Sequence, residues 1–237
     1  MRQFKRTEML FGENSIEKLS ASRIAVFGIG GVGGHVVEAL VRSGVGTVDI
    51  IDNDVIHNSN LNRQIVALHS NVGKLKVDEY EKRMKDINPN VVINKHKCFF
   101  TPENSSDFDF GAYDYVADCI DTVTGKIELV MKCQKSNTPI ISCMGTGNKL
   151  NPAELEVSDI HKTSVCPLAK VMRRELKKRK VKKLKVVYSK EIPVVPKELI
   201  KDAESNKTLI GSNAFVPATA GLIIASEIVK DIIKKEW

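Results

Sequence analysis

The chain contains no apolar run near the roughly 20 residues that a membrane-spanning helix requires, and its opening residues, MRQFKRTEML, lack the continuous apolar segment of a secretory signal. Both absences point to the cytoplasm. The five cysteines, Cys98, Cys119, Cys133, Cys143 and Cys166, are odd in number and form no CxxC pair, which argues against a disulfide framework and against a four-thiolate zinc site. There is no internal repeat and no low-complexity linker. Acids are nearly missing from one stretch, KVMRRELKKRKVKKLKVVYSK over 170–190, where Glu175 stands alone. The rest is ordinary globular material: 237 residues, 42% hydrophobic and 27% charged, enough to bury one substantial core. The net charge of +7 matters because it is clustered.

Apolar segments alternate between strand and helix patterns. Strands are expected at 23–27, 47–51, 91–94, 113–117 and 139–143, and helices at 32–42, about 74–87 and 126–135, the second stopped by Asn88-Pro89. That alternation predicts an α/β fold with a Rossmann-like, mostly parallel sheet and helices on both faces. From about residue 145 the pattern changes to strands near 155–157 and 184–188, a basic helix between them and a closing helix over 218–230. We read one domain over 1–237, with a nucleotide-binding core (1–144) and a substrate-facing C-terminal portion (145–237). In the basic helix Leu168, Val171, Met172 and Leu176 recur at helical spacing. They are expected to face inward and Lys170, Arg173, Arg174, Lys177 and Lys178 outward. A basic face is often merely solvated, but one with so few acids favours nucleic acid.

The stretch FGIGGVGGHVVEALVRSG joins a strand end to a helix through a glycine turn. Gly28, Gly30 and Gly33, with Gly31 inside the turn, match G-x-G-x-x-G, and the next strand closes on Asp52. Backbone N–H groups and the positive helix end suit a phosphate, and Asp52 suits ribose hydroxyls. Dehydrogenases use the same parts, so these residues establish a nucleotide and leave the chemistry open. The following segment, IDNDVIHNSNLNRQIVALHSNVGKLK, discriminates. Hydride transfer has no need for Asn60, Arg63, Gln64 and Lys76 in such density, whereas reaction at phosphorus requires donors and cations converging on it. Asn60 has the alternative of capping its own turn, Asp121 that of capping the next helix, and Asp54 either supports the cluster or closes the loop. His57 and His69 receive no role.

In order along the chain, GIGGVGG, DNDVIHNSNLNRQ, NVGKLKV, INPNV and DCIDT resemble the adenylating enzymes related to ubiquitin activators, the ThiF/MoeB adenylyltransferase superfamily. In that superfamily a carboxylate attacks the α-phosphorus of ATP, giving an acyl-adenylate and pyrophosphate. The resemblance implies that Asp52 holds ribose, that Asn60, Arg63, Gln64 and Lys76 hold the triphosphate with Asp54 beside them, and that Asp121 holds Mg2+. Arg63, Lys76 and Asp121 would then be the catalytic groups. It also implies a homodimer in which Arg6, in RTEMLFG, reaches the neighbouring subunit's phosphates.

The last third narrows the substrate. GTGNKLNPAELEVSDIHKTSVCPLAKVMRRELKK, VVYSKE and GSNAFVPATAGLIIASEIV resemble the branch of that superfamily that dehydrates threonylcarbamoyladenosine at position 37 of tRNA. On that resemblance Lys170, Arg173, Arg174, Lys177 and Lys178 face the tRNA, and the ureido group of the activated substituent closes the ring without an enzyme nucleophile. Two other readings stay open: activation of the C-terminus of a ubiquitin-like sulfur carrier, which the missing CxxC pairs weaken, and a non-catalytic ATP-dependent tRNA-binding module. Cys166, before Pro167 at a helix start, is a thioester candidate or a packing residue. Whether a monovalent cation orders the loop around Ser189 to Glu191, and whether sulfur-transfer proteins dock, is left open by the sequence.

Overall fold

The computed structural model describes residues 2–195, 198 and 209–233; the remaining residues lie outside this description. Seven strands, β1 (Arg23–Phe27), β2 (Thr47–Ile51), β3 (Val92–His96), β4 (Tyr115–Asp118), β5 (Ile140–Cys143), β6 (Leu155–Asp159) and β7 (Lys185–Ser189), form one sheet in the order β3-β2-β1-β4-β5-β7-β6. All pairings are parallel except that of β6 with β7. The helices are α1 (Lys5–Phe11), α2 (Ser15–Ala21), α3 (Gly33–Ser43), α4 (Lys76–Ile87), α5 (Val123–Ser136), α6 (Pro167–Lys178) and α7 (Val216–Ile233). None is long and apolar enough to cross a membrane among the described residues.

β1 shows why the strands read as unbroken apolar runs. Ile24 and Val26 pack on one face with α3, α4 and α7, while Ala25 and Phe27 pack on the other against Phe100, Phe108 and Phe110. A strand buried on both faces cannot alternate polar residues. The expected strands and the five expected helices, α3 to α7, all form, with ends shifted by a few residues. Tyr113 lies outside β4, packed edge-on against Phe110, and α4 begins at Lys76 because Lys74 belongs to the preceding turn. α1 and α2 were not expected. α1 buries no residue and α2 buries only Ser15 and Leu19, so neither carries an apolar stripe to read. β7 pairs with β5, and α7 packs on α3, so the C-terminal third continues the same sheet and core.

Within this frame Asp49 of β2 is fully buried. It accepts both arms of Arg23 at 2.8 Å, Asn94 Nδ2 at 3.0 Å, and pairs with His96 Nε2 at 2.9 Å. Burial alone would raise its pKa; the hydrogen bonds from Arg23, His96 and Asn94 outweigh burial and hold it at about 2, against 3.8 ordinarily. A carboxyl depressed in this way stabilises the fold above its unfolded pKa and loses that contribution as pH falls through the folded value. Urea unfolding of the wild-type protein is therefore expected to lose about 2 kcal/mol from this group between pH ~5 and pH ~2. Asp49→Asn should lack that acid limb; an unchanged acid limb in the variant would remove Asp49 as its source.

Candidate active site

The strand order reverses direction between β1 and β4, so the loops leaving their C-terminal ends diverge and open a crevice. A cavity of about 410 Å³ occupies it. Gly28, Gly30, Gly31, Asp52, Asp54, Asn60, Arg63, Gln64, Lys76 and Asp121 all line this cavity, although they come from the three separate connections that follow β1, β2 and β4. Gly33 lies just beneath, and Arg6 is exposed on α1, outside the lining of its own chain's cavity.

The glycines divide by function. Gly28 has φ +80°, and a Cβ there would come within 3.0 Å of the Cys119 carbonyl; at Gly33 it would stand 1.8 Å from the Gly28 carbonyl. Those two let the backbone fold tightly. At Gly30 and Gly31 a Cβ would meet nothing nearer than 3.4 Å and would only project among Gln64, Arg63 and Pro217. What these glycines keep clear is the cavity itself, beside the start of α3.

Asp52 is oriented by its neighbours' backbone: Ile29 N–H donates to one carboxylate oxygen at 3.0 Å and Asp54 N–H to the other at 2.9 Å. Burial raises its pKa, with Lys76 and the two N–H groups opposing. Lys76 is 4% exposed, with Nζ 2.7 Å from Asp54 and 3.9 Å from Asp52. Its ammonium thus waits on an exposed carboxylate that a more highly charged anion would displace. Arg63 Nη1 donates to the Ser59 carbonyl and to Asn62 Oδ1, leaving the rest of its fork at the cavity wall. Burial lowers its pKa, but a guanidinium starts so high that it stays charged. Asn60 does cap its own turn, its Oδ1 accepting His57 N–H at 3.0 Å, while still lining the cavity. The buried Gln64 Oε1 has no hydrogen-bond partner among the described residues.

Asp121 is exposed and has no ion pair among the described residues. It does not cap α5, where Thr122 is the N-cap residue. The chain offers no group of three His, Cys, Asp or Glu ligands among the described residues. A lone cavity carboxylate is what a Mg2+ completing its shell with phosphate oxygens and water requires. Below it, Lys126, fully buried in the first turns of α5, donates to Asp118 at 3.0 Å and to the Cys143 carbonyl at 2.7 Å, and Ser142 donates to Asp118 at 2.5 Å. This tie anchors both ends of the loop that carries Asp121.

Sequence reasoning missed much of the remaining cavity lining, which is mostly apolar or small. Ile51, Phe99, Phe100 and Ile120 lie on the β3 side, and Thr146, Gly147, Ile210, Ser212 and Pro217 on the side of β5 and α7. The Phe99-Phe100 pair after a strand was a readable signal; Pro217 and Ile210 had none. Cys166 is 1% exposed, its sulfur packed near Gly145, which is the position of a packing residue. By the loop at Ser189, Glu191 accepts Leu150 and Asn151 N–H groups, and the Lys149 ammonium donates to the Glu191 carbonyl.

The basic helix needs correction at two points. Its buried stripe is Ala169, Met172 and Leu176, with Leu168 and Val171 only half-buried. Arg173 does not stand free, since its guanidinium donates to the Thr163 carbonyl and hydroxyl. Arg174 and Lys178 pair with Glu175, an exposed contact of small energy. His161, Lys180 and Lys182, unforeseen, join Lys170, Arg173, Arg174 and Lys177 around an open hollow of about 710 Å³ with no acid in its lining.

These features define a nucleotide-binding α/β protein built for chemistry at phosphate. The ThiF family model matches residues 4–236, and the chain belongs to the ThiF family. It is 42% identical to the tRNA threonylcarbamoyladenosine dehydratase of Bacillus subtilis, the match covering 99% of this chain and 96% of that one. Crystal structures of the E. coli tRNA N6-threonylcarbamoyladenosine dehydratase, 33% identical, superpose with a TM-score of 0.88 for the AMP complex and 0.89 for the ATP complex, covering 98% of this chain and 94% of that one.

The glycine geometry yields a contrast. Gly33→Ala is expected to lower the thermal midpoint strongly or prevent folding, because backbone must move. Gly31→Ala should leave the midpoint within about 2 °C, a shift below 1 kcal/mol for this size, yet weaken nucleotide binding in calorimetric titration. Equal effects of both on stability would refute the division.

Proposed function

We propose that this protein is an ATP-dependent tRNA threonylcarbamoyladenosine dehydratase, which adenylates the substituent's carboxylate and lets the product cyclise. The observation that carries the reading is the joining, in one cavity, of a glycine turn, a ribose-type acid, two buried or half-buried cations and a carboxylate without an ion pair among the described residues, in a chain alike over nearly its whole length to dehydratases. Asp52 holds the ribose of ATP, and Gly30 and Gly31 admit its phosphates to the N–H groups before α3. Lys76 exchanges Asp54 for phosphate, Arg63 offers its fork to the same charge, and Asn60 and Gln64 complete the cluster. A Mg2+ held by Asp121 would neutralise charge gathering on the departing pyrophosphate. A substrate carboxylate oxygen bonds to the α-phosphorus as the bond to pyrophosphate breaks. The ureido group then attacks the acyl carbon, AMP leaves and a proton is lost, so that water is removed at the expense of ATP. Burial of Cys166 supports ring closure without a thiol and disfavours a thioester route.

The tRNA backbone lies against the hollow lined by Lys170, Arg173, Arg174 and Lys177, with Lys178 at its margin. Such a polyanion is held by many screened contacts. We further infer a homodimer: α1 buries none of its own residues and Met9 is 76% exposed, so a second copy covering it would bring Arg6 to the neighbouring phosphates.

Incubating the protein with modified tRNA, ATP and Mg2+ should release AMP and lower the nucleoside mass by one water. Arg63→Ala and Asp121→Asn should each reduce turnover by on the order of 10³. Normal turnover in either variant, or no AMP from the wild-type protein, would refute the reading. Neutralising Lys177 should weaken tRNA binding and flatten its log–log salt dependence by about one unit; an unaltered slope would move the tRNA elsewhere.

A further inference from the structure

The described residues bury most of their aromatic rings. Among the described residues every tyrosine is buried, and just two phenylalanines, Phe99 at 52% and Phe215 at 64%, leave half or more of the residue exposed. Phe99 lines the crevice, whereas Phe215 lies outside its lining and flanks it through its sequence neighbours. Phe99 follows β3 and lines the cavity near Asp52. Phe215 lies between Ser212 and Pro217, two lining residues, in a segment bonded to the loop after β5. In the sheet, β2, β1 and β4 separate those two loops.

The exposure of Phe215 is held in place by side-chain bonds. Asn213 Oδ1 accepts Phe215 N–H at 2.9 Å and Val216 N–H at 3.0 Å, capping α7, while Asn213 Nδ2 donates to the Lys149 carbonyl at 2.7 Å. Asn62 Nδ2 donates to the Ser212 carbonyl at 3.2 Å, joining the segment to the turn that carries Arg63. A ring fixed in water beside a reaction site is unfavourable until an apolar or flat group covers it.

The polarity of the cavity decides which group that is. With Asp52 holding the ribose on the β2 side, as proposed above, the base of ATP would lie toward Phe99, Phe100 and Ile120, and its phosphates would run over the glycine turn. The acyl substrate must approach from the remaining side, that of β5 and α7, where Phe215 stands. An adenosine drawn from an anticodon loop loses its stacking neighbours, and a flat ring at the entrance replaces one of them. The geometry points to Phe215 as the platform on which the substituted purine of the tRNA stacks, a specificity-determining residue at the tRNA entrance. The inference rests on the dehydratase reading above.

Steady-state kinetics with modified tRNA and ATP test it. Phe215→Ala is expected to raise the KM for tRNA about ten-fold, the ~1.4 kcal/mol of one base stack, with the KM for ATP unchanged. Phe99→Ala should do the reverse. Phe215→Trp in a Trp237→Phe background should retain activity and show fluorescence quenched by modified tRNA more strongly than by unmodified tRNA. A Phe215→Ala protein with wild-type KM for tRNA overturns the assignment. So does one whose KM for ATP rises equally, or one that turns monomeric in light scattering, which would give the ring to a second copy. If the wild-type protein itself releases no AMP, the dehydratase reading fails instead, which separates the two claims.

Discussion

The reversal of strand order between β1 and β4 is the constraint on which the site depends. Parallel strands send all their outgoing loops to one edge, and at the reversal neighbouring loops turn apart rather than pack on each other. Gly28 can then lie against Cys119 while a Cβ at Gly31, three residues on, would make only ordinary contacts with Arg63 and Pro217. The crevice is therefore a product of topology, and the side chains around it only determine what it accepts.

Charge is distributed around that crevice in two ways. Lys126 and Asp118 are buried together with every bond satisfied, and they hold the walls rigid. Removing one partner of such a pair costs roughly 3–5 kcal/mol, because the other is left uncompensated in a medium that solvates it poorly. Lys76 and Asp121 are different. One is paired with a carboxylate more exposed than itself, and the other has no ion-pair partner among the described residues, so both can respond to a ligand. A site that binds a highly charged nucleotide requires this separation between charges that fasten and charges that wait.

The same separation governs the basic face of α6. Arg173, read as one of five equivalent outward cations, is committed to Thr163 and closes the junction before the helix. The hollow gains His161, Lys180 and Lys182 from flanking segments instead. Electrostatic recognition of a long polyanion tolerates this, since it depends on the density of positive charge along a surface more than on any one side chain.

The sequence by itself determined whatever depends on neighbours along the chain. The glycine turn, the acid ending β2, the Asn60–Gln64 cluster, Asp121 two residues before α5 and the α/β alternation are all local, because strand, turn and cap propensities act over a few residues. Tertiary structure decided the rest. Which loops meet depends on strand order, so the gathering of Phe99 and Pro217 around one crevice, the pairing of Lys126 with Asp118 and the capture of Arg173 could not be read from spacing. α1 and α2 escaped for the complementary reason: with almost nothing buried, they have no periodic stripe, and only their packing places them.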